Sequence, residues 1–593
     1  MRTRKAKDRS RLIQAAMGQI PCDLTIGNVQ FFNVITGEIY PASVDILDGF
    51  VVLVREEGQE AILPSRSYYD GQGRYLIPGY IDTHMHIEST MMIPENLARA
   101  ILPWGTTTIC TDPHEIGNVM GLDGVRFMLE NAKKSKLRQY VLAPSCVPAV
   151  PGMENAGAEF LAKEVGELLD MDDVIGIAEI MDYVGVIQDS ERMRTIIDEG
   201  LRRGMFLQGH APYCSGRELA AYLIGGPVSD HESVNADEVR GKLRAGMHVN
   251  LRASSLIDNL SFLVDGCKDQ PWRDFVSVCT DDVHAKDLLT VGHINNVVRK
   301  AVASGLDGRE VVKMATLNAA REYGFNDLGA IAPGYIADIQ LVDALDGSRP
   351  KAVFTEGVLV AEDGKYLGGD CKTADYDLPN TVNMPQIAGP ESFVLRVPEG
   401  YTGDTIRVNV MVSEDGNRIL RHVEPVELPV RDGAVDISGD PTLVFVCCAN
   451  RYGRGGKTIA VYRDFGLERG ALASTVSHDS HNFTVSYHDP KDAFRAAEIL
   501  RACGGGVCVI DGAEETHIAL PAAGLMSQKP CAEVADEIAA VQAALDAISG
   551  GRLTLLATAV MALPVLPSVV ITDMGLVNGA NQTFVPVFAD AEA

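Results

Sequence analysis

The strongest constraint on the fold is an alternation. Eight short apolar runs follow one another within about 250 residues, most of them separated by stretches with helical periodicity. The runs are YLIPGYIDTHMH, GTTTICTD, QYVLAPSC, DVIGIAEIM, GMFLQGH, PVSDH, GMHVNLR and FVSVCTD. Stretches such as SERMRTIIDEGLRRG and NADEVRGKLRAG lie between them. Strands that alternate with amphipathic helices build a parallel sheet, and eight such units match an α/β fold of the (β/α)8 TIM-like barrel type. An open doubly wound sheet is the alternative. It usually carries a Gly-rich dinucleotide turn after its first strand, and this chain has none there.

The flanks read differently. DLTIGNVQFFNVITGEIY and SVDILDGFVVLVRE precede the alternating region, and GAIAPGYIADIQLVD and PKAVFTEGVLVAEDG follow it. Both patches look like short hairpins, and neither is long enough to bury a core alone. Together they suggest one small β-sandwich split by the barrel. The expected layout begins with an N-terminal arm (1–20) and a first β-sandwich segment (21–75). The barrel (76–328), a second β-sandwich segment (329–375) and a C-terminal α+β domain (376–593) follow. A chain of 593 residues is too long for one ordinary domain, which agrees with this division.

Composition excludes several classes. With 52 Lys and Arg against 80 Asp and Glu, the formal charge is −28, which repels phosphate backbones and argues against nucleic-acid binding. The 12 cysteines form no C-x-x-C pair, and read as free thiols in a reducing cytoplasm. The basic start, MRTRKAKDRSRLIQAA, lacks the apolar core of a secretory signal and suggests an amphipathic helix or loose arm. One uncharged run, Leu553 to Thr572, has the length of a membrane span. Pro564 and Pro567 break it, so a buried helix followed by a buried strand is expected, and no membrane partner. The GGG at 504–506 lacks the Lys-Ser/Thr of a phosphate loop and reads as a helix C-terminal turn.

Chemistry collects at the strand ends, where barrels carry it. In GYIDTHMHIEST, His84 and His86 are two apart, so on a strand they point to one side. Two adjacent imidazoles make sense as ligands to one cation. Glu179 lies near the end of the fourth run, His210 ends the fifth, His231 the sixth and Asp281 the eighth. Six ligand-type side chains on five strand ends point to a metal site.

These residues sit in motifs that resemble the amidohydrolase superfamily, and within it the bacterial adenine deaminase family. The matching stretches are PGYIDTHMHIEST (78–90), CTDPHEIGN (110–118), AEIMDY (178–183), GHAP (209–212), SDHES (229–233), CTDDVH (279–284), MATLNAA (314–320), LGAIAPGYIADI (328–339) and SHDSHN (477–482). The last falls in the C-terminal region, which separates this family from other amidohydrolases. The resemblance implies two divalent metal ions, with Mn²⁺ or Fe²⁺ favoured and Zn²⁺ an option. His84, His86 and Asp281 would bind one, His210 and His231 the other, and Glu179 would bridge them. It implies hydrolysis of adenine to hypoxanthine and ammonia, by attack of a metal-bridging hydroxide on C6. Asp281 would carry the proton to the leaving nitrogen. Glu115, kept neutral in a closed pocket, would act as the acid toward the ring. Ser89, Asp112, His114 and His284 are expected around the substrate. His478 and His481 either reach the pocket or hold the C-terminal domain together. The resemblance also suggests a homo-oligomer such as a dimer, with a small purine as the only other partner.

Four positions depart from the family pattern. Ala253-Ser254 stands where Glu-Gly is usual, Val283 where Arg is usual, and Asp182 where Asn is usual. They bear on which substrate is read, so another aminopurine or a cyclic amide remains the alternative. Hydrolases of cyclic amides usually present a lysine on the fourth strand, where this chain has Glu179. A scaffold that had lost its metals would lack several ligands, and all six are present. Zinc deaminases of the cytidine type pair H-x-E with P-C-x-x-C, and the second half is missing.

Overall fold

The computed structural model describes residues 9–589 except 57, 59–61, 256, 370–372, 375, 415 and 416. The first eight residues of the expected arm lie outside the described residues. The rest of the arm carries a helix, Arg9–Ala16, whose Leu12 and Ala15 are buried beside Leu47 and Val52.

The eight apolar runs all contain strands. They are β1 (Tyr80–Met85), β2 (Thr106–Thr111), β3 (Arg138–Ala143), β4 (Val174–Ile180), β5 (Phe206–Gly209), β6 (Ser229–Asp230), β7 (His248–Arg252) and β8 (Val276–Cys279). Pairing is parallel throughout, in sheets ordered β5-β4-β3-β2-β1 and β6-β7-β8. The sheets meet at both edges. Val228 N–H donates to Leu207 O across 3.0 Å, and Asp281 N–H donates to His84 O across 3.0 Å. Every residue of β1, β2 and β4 is buried, as expected for parallel strands covered on both faces. Gly209 is needed at the first seam, because a Cβ there would lie 2.2 Å from Ser229 O.

The crossover helices follow from their sequences. In Glu191–Arg203, Met193, Ile196, Ile197 and Gly200 are buried, a spacing of three and four that makes one apolar stripe. Ser190 caps its start by accepting from Met193 N–H, and Gly204 ends it in the left-handed conformation, φ 64°.

The two β-rich flanks join in one nine-stranded sheet. Tyr75–Pro78 pairs antiparallel with Ile339–Val342, so the segments before and after the parallel strands meet in space. The C-terminal region forms a second nine-stranded sheet with helices Pro490–Cys503 and Cys531–Ser549. The first of these helices ends at Gly504 in the left-handed conformation, the role expected of GGG. The uncharged run after residue 553 is a short 3-10 helix, Leu555–Ala562, and a strand, Val569–Thr572. No described helix is long and apolar enough to cross a membrane. The described cysteines are free thiols, and all but Cys503 are buried.

One apolar core runs across the junction between the parallel strands and the C-terminal region. It includes Met85, Ile87 and Ile93 from one side and Leu520, Val534 and Ile538 from the other. Hydrogen bonds add to it, including Ser527 N–H to Met91 O at 2.8 Å and Asn482 Nδ2 to Asn155 O at 2.8 Å.

Candidate metal centre

The six expected ligands converge at the C-terminal ends of the parallel strands. His84 Nε2 lies 3.5 Å from Asp281 Oδ1, and His86 Nε2 lies 3.3 Å from the same atom. His86 Nε2 is also 3.4 Å from Glu179 Oε1. His231 Nε2 is 3.2 Å from Glu179 Oε2, and His210 Nδ1 is 2.5 Å from it. The His84 and His231 rings stack with centroids 3.8 Å apart.

Hydrogen bonds behind the rings fix which nitrogens face inward. The side-chain amide of Gln208 donates to Thr83 O, which turns its Oε1 toward His84 Nδ1 at 2.9 Å. That oxygen only accepts, so Nδ1 carries a proton and Nε2 is the nitrogen turned toward Asp281. His86 Nδ1 likewise faces the backbone carbonyl of Asp112 at 3.1 Å. Each Nε2 therefore faces carboxylate oxygens, and His84 Nε2 has no hydrogen-bond partner among the described residues. A cation held between these nitrogens and oxygens would satisfy both.

The spacing agrees with that demand. Ligand atoms each about 2.0–2.2 Å from one ion, at tetrahedral or octahedral angles, lie about 3.0–3.5 Å apart. Four of the five contacts, at 3.2, 3.3, 3.4 and 3.5 Å, fall in that range. Direct charge-assisted hydrogen bonds would be shorter, about 2.7–2.9 Å. The close His210–Glu179 contact is the exception. Mixed nitrogen and oxygen donors suit divalent transition ions.

Both carboxylates are held ionised. Burial pushes Asp281 up, but His84, His86 and the Arg252 guanidinium overcome it and keep the carboxyl well below its usual range. Arg252 Nη1 donates to Asp281 Oδ2 at 2.8 Å and also contacts Glu232, leaving Oδ1 for the histidines. Burial likewise raises Glu179, and His210 and His231 bring it well below the ordinary carboxylate range. Asp281 takes φ 59°, an uncommon left-handed conformation in which its N–H bonds back to His84 O.

The centre opens into a cavity of about 380 Å³. His86, Glu179, His210, His231 and Asp281 form its floor. Its outer wall comes from the C-terminal region: Val560, Leu563, Val565, Leu566 and Pro567 on one side, His478 and Asp479 on the other.

Of the expected substrate residues, His114 lines the cavity. Its Nδ1 is 3.0 Å from Asp112 Oδ2, and its Nε2 is 3.4 Å from Asp479 Oδ1. Ser89, Asp112, Glu115 and His284 stand behind that lining. Asp112 holds His114 through both carboxylate oxygens. Ser89 Oγ lies between Glu115 and Asp282, and His284 precedes helix Ala285–Thr290. The expectation of a neutral Glu115 is corrected. Burial alone would raise its carboxyl, but His478, 3.2 Å from Oε1, and His481, 3.8 Å from Oε2, bring it below the usual range.

Sequence reasoning missed Gln208, Glu232, Asp282 and Asp479 as members of the site. Gln208 had a signal, since it lies two residues before His210 on one strand. The Val560–Pro567 wall had none.

Comparison with known proteins agrees with this geometry. Residues 75–360 match the amidohydrolase family, and residues 418–583 match the adenine deaminase C-terminal domain. Adenine deaminase 2 of Carboxydothermus hydrogenoformans is 38% identical over 581 residues, spanning 97% of this chain and 99% of that one. The chain belongs to the adenine deaminase family. The adenine deaminase of Methanothermobacter thermautotrophicus is 38% identical, spanning 93% of this chain and 97% of its own. That of Paracoccus denitrificans is 36% identical, spanning 96% of each. In a family member of this kind, the SHDSHN segment at the cavity belongs to the C-terminal domain that sets adenine deaminases apart, so that domain helps to build the site.

Proposed function

We propose that this chain is an adenine deaminase, which hydrolyses adenine to hypoxanthine and ammonia. The observation that carries this reading is the ligand cluster at the floor of a cavity whose wall is built by the adenine deaminase C-terminal domain. His84, His86 and Asp281 would hold one divalent ion and His210 and His231 a second, with Glu179 shared. Mn²⁺ or Fe²⁺ is favoured over Zn²⁺. When bound, such ions lower the pKa of water to about 7 and so supply a nucleophile at neutral pH.

The chain's own residues do the rest. Asp281, kept ionised by Arg252, receives the proton given up as water oxygen adds to C6, and returns it to the departing nitrogen. Val560, Leu563 and Leu566 offer an apolar wall to the flat purine and exclude bulk water. His114, held by Asp112 and Asp479, contacts the ring. Of the family departures, Ser254 lines the cavity itself. Ala253 and Val283 line a separate small cavity with Ser255 and His293, and Asp182 caps helix Tyr183–Ile187.

The same reading takes the two parallel sheets as one (β/α)8 barrel at 76–328, with a β-sandwich from 21–75 and 329–375 and an α+β domain at 376–593. It places the enzyme in the cytoplasm as a homodimer, which light scattering of the purified protein tests. The test of function is hypoxanthine and ammonia release from adenine by Mn²⁺-loaded protein. Release at equal rates supports the reading. A metal-replete protein that leaves adenine untouched and hydrolyses a cyclic amide overturns it.

A further inference from the structure

The SHDSHN segment brings two histidines to one carboxylate, and the two are not equivalent. His481 is fully buried, and its Nδ1 accepts from Ser477 N–H at 3.1 Å. The lone pair is thereby placed on Nδ1 and the proton on Nε2, which faces Glu115 Oε2 at 3.8 Å. An imidazole in that tautomer cannot ligate a metal through Nε2, so Glu115, His478 and His481 are not a third ion site. His478 lies within hydrogen-bond distance of the carboxylate, and His481, at 3.8 Å, does not.

His478 is turned the other way. Its Nδ1 meets Glu115 Oε1 at 3.2 Å, and its ring lines the cavity. His478 is 6% exposed, yet Nε2 has no hydrogen-bond partner among the described residues. A buried polar atom left without a partner in a cavity wall is costly unless a ligand satisfies it. A histidine whose only task was to tie two domains together would spend both nitrogens on protein atoms, as His293 does with Thr106 and Thr280.

We propose that His478, contributed by the C-terminal domain, is the proton donor to the purine ring, with Glu115 as the carboxylate that holds it. This rests on the deaminase reading above. As water oxygen bonds to C6, the C6–N1 π pair moves to N1, and N1 takes the Nε2 proton of His478. The C6–N6 bond then breaks, and the amine leaves as ammonia with a proton from the attacking water. The second water proton returns to the imidazole through solvent, so N1–H and C6=O of hypoxanthine are balanced. Burial pushes His478 down, and Glu115 and Asp282 push it up to about 9, which keeps the imidazole charged for this step.

The test uses full-length, Mn²⁺-loaded protein in parent, His478→Gln and His478→Ala forms. Metal content, kcat and KM for adenine are measured, with and without added imidazole. The expected result is a fall in kcat of about 10²–10⁴-fold in both variants, with metal content and KM near the parent values. Imidazole should raise kcat of His478→Ala in proportion to its concentration. A kcat within about fivefold of the parent in either variant overturns the assignment. So does a loss that comes with depleted metal and no imidazole response, since that is a structural role. A parent inactive on adenine sinks the deaminase reading itself, and this assignment with it.

Discussion

His248, Asn250, Ser277 and Glu322 form a polar cluster near the starts of β7 and β8, while the candidate metal centre lies where the strands end. Both clusters are buried and both mix histidines with carboxylates. At the starts, Ser277 Oγ donates to Glu322 Oε2 at 2.6 Å, Asn250 Nδ2 donates to both Glu322 oxygens, and His248 Nε2 meets Ser277 Oγ at 3.1 Å. Burial pushes Glu322 up to about 8 and His248 down to about 3, so both are neutral at pH 7. At the ends, Asp281 and Glu179 stay ionised, and Nε2 of His84 and of His86 faces them. One cluster hydrogen-bonds within itself, with only Asn250 Oδ1 left over among the described residues, and is structural. The other gathers ionised carboxylates and imidazoles in the arrangement that a divalent cation would complete.

This contrast can be broken by experiment. The largest effect is expected for Glu179→Gln, which removes a shared ligand charge. Transition-state stabilisation of several kcal/mol is lost, so kcat/KM should fall by about 10³-fold or more, with less bound metal. Steady-state kinetics and elemental analysis check this, and a variant with normal metal content and activity would place the ions elsewhere. Gln208→Leu should come next. It removes the acceptor that fixes the His84 tautomer, and metal affinity or activity should drop about 10–100-fold. Metal titration of the apo-protein measures it, and an unchanged affinity would show that Gln208 only fills space.

The smallest effect on turnover is expected at the other cluster. Glu322→Gln should leave kcat within about twofold of the parent, because no interaction made in the transition state is lost. Its signature is in stability. The folded pKa of Glu322 is raised to about 8, so its contribution is full below the unfolded pKa, about 4.3. It is lost as pH rises through about 8. The variant carries no such charge. Its Tm should match the parent at pH 4 and exceed it at pH 9. A Tm difference independent of pH would mean that Glu322 does not titrate on unfolding.

Much of the site was legible because it is local. His84 and His86 share a strand face by period two, and Glu179, His210, His231 and Asp281 each end an apolar run. The helix that GGG closes, and the strand after the uncharged run, were readable for the same reason: backbone geometry depends on neighbours in the chain. The role of Glu115 was not readable. Its position after β2 suggested a lone acid in a closed pocket, and its partners lie more than 360 residues further along the chain.

The sequence by itself determined the alternating strands, the strand-end placement of the candidate ligands and the hydrolytic class, because strand period and side-chain chemistry are properties of a few consecutive residues. Only the tertiary structure decided which face of each imidazole is free, that Gln208 sets His84, that Arg252 holds Asp281, and that His478, Asp479 and the Val560–Pro567 wall close the cavity. Those contacts come from the apolar core that joins the parallel strands to the C-terminal domain. Burial of that core is non-directional and leaves no local pattern from which its distant partners could be read.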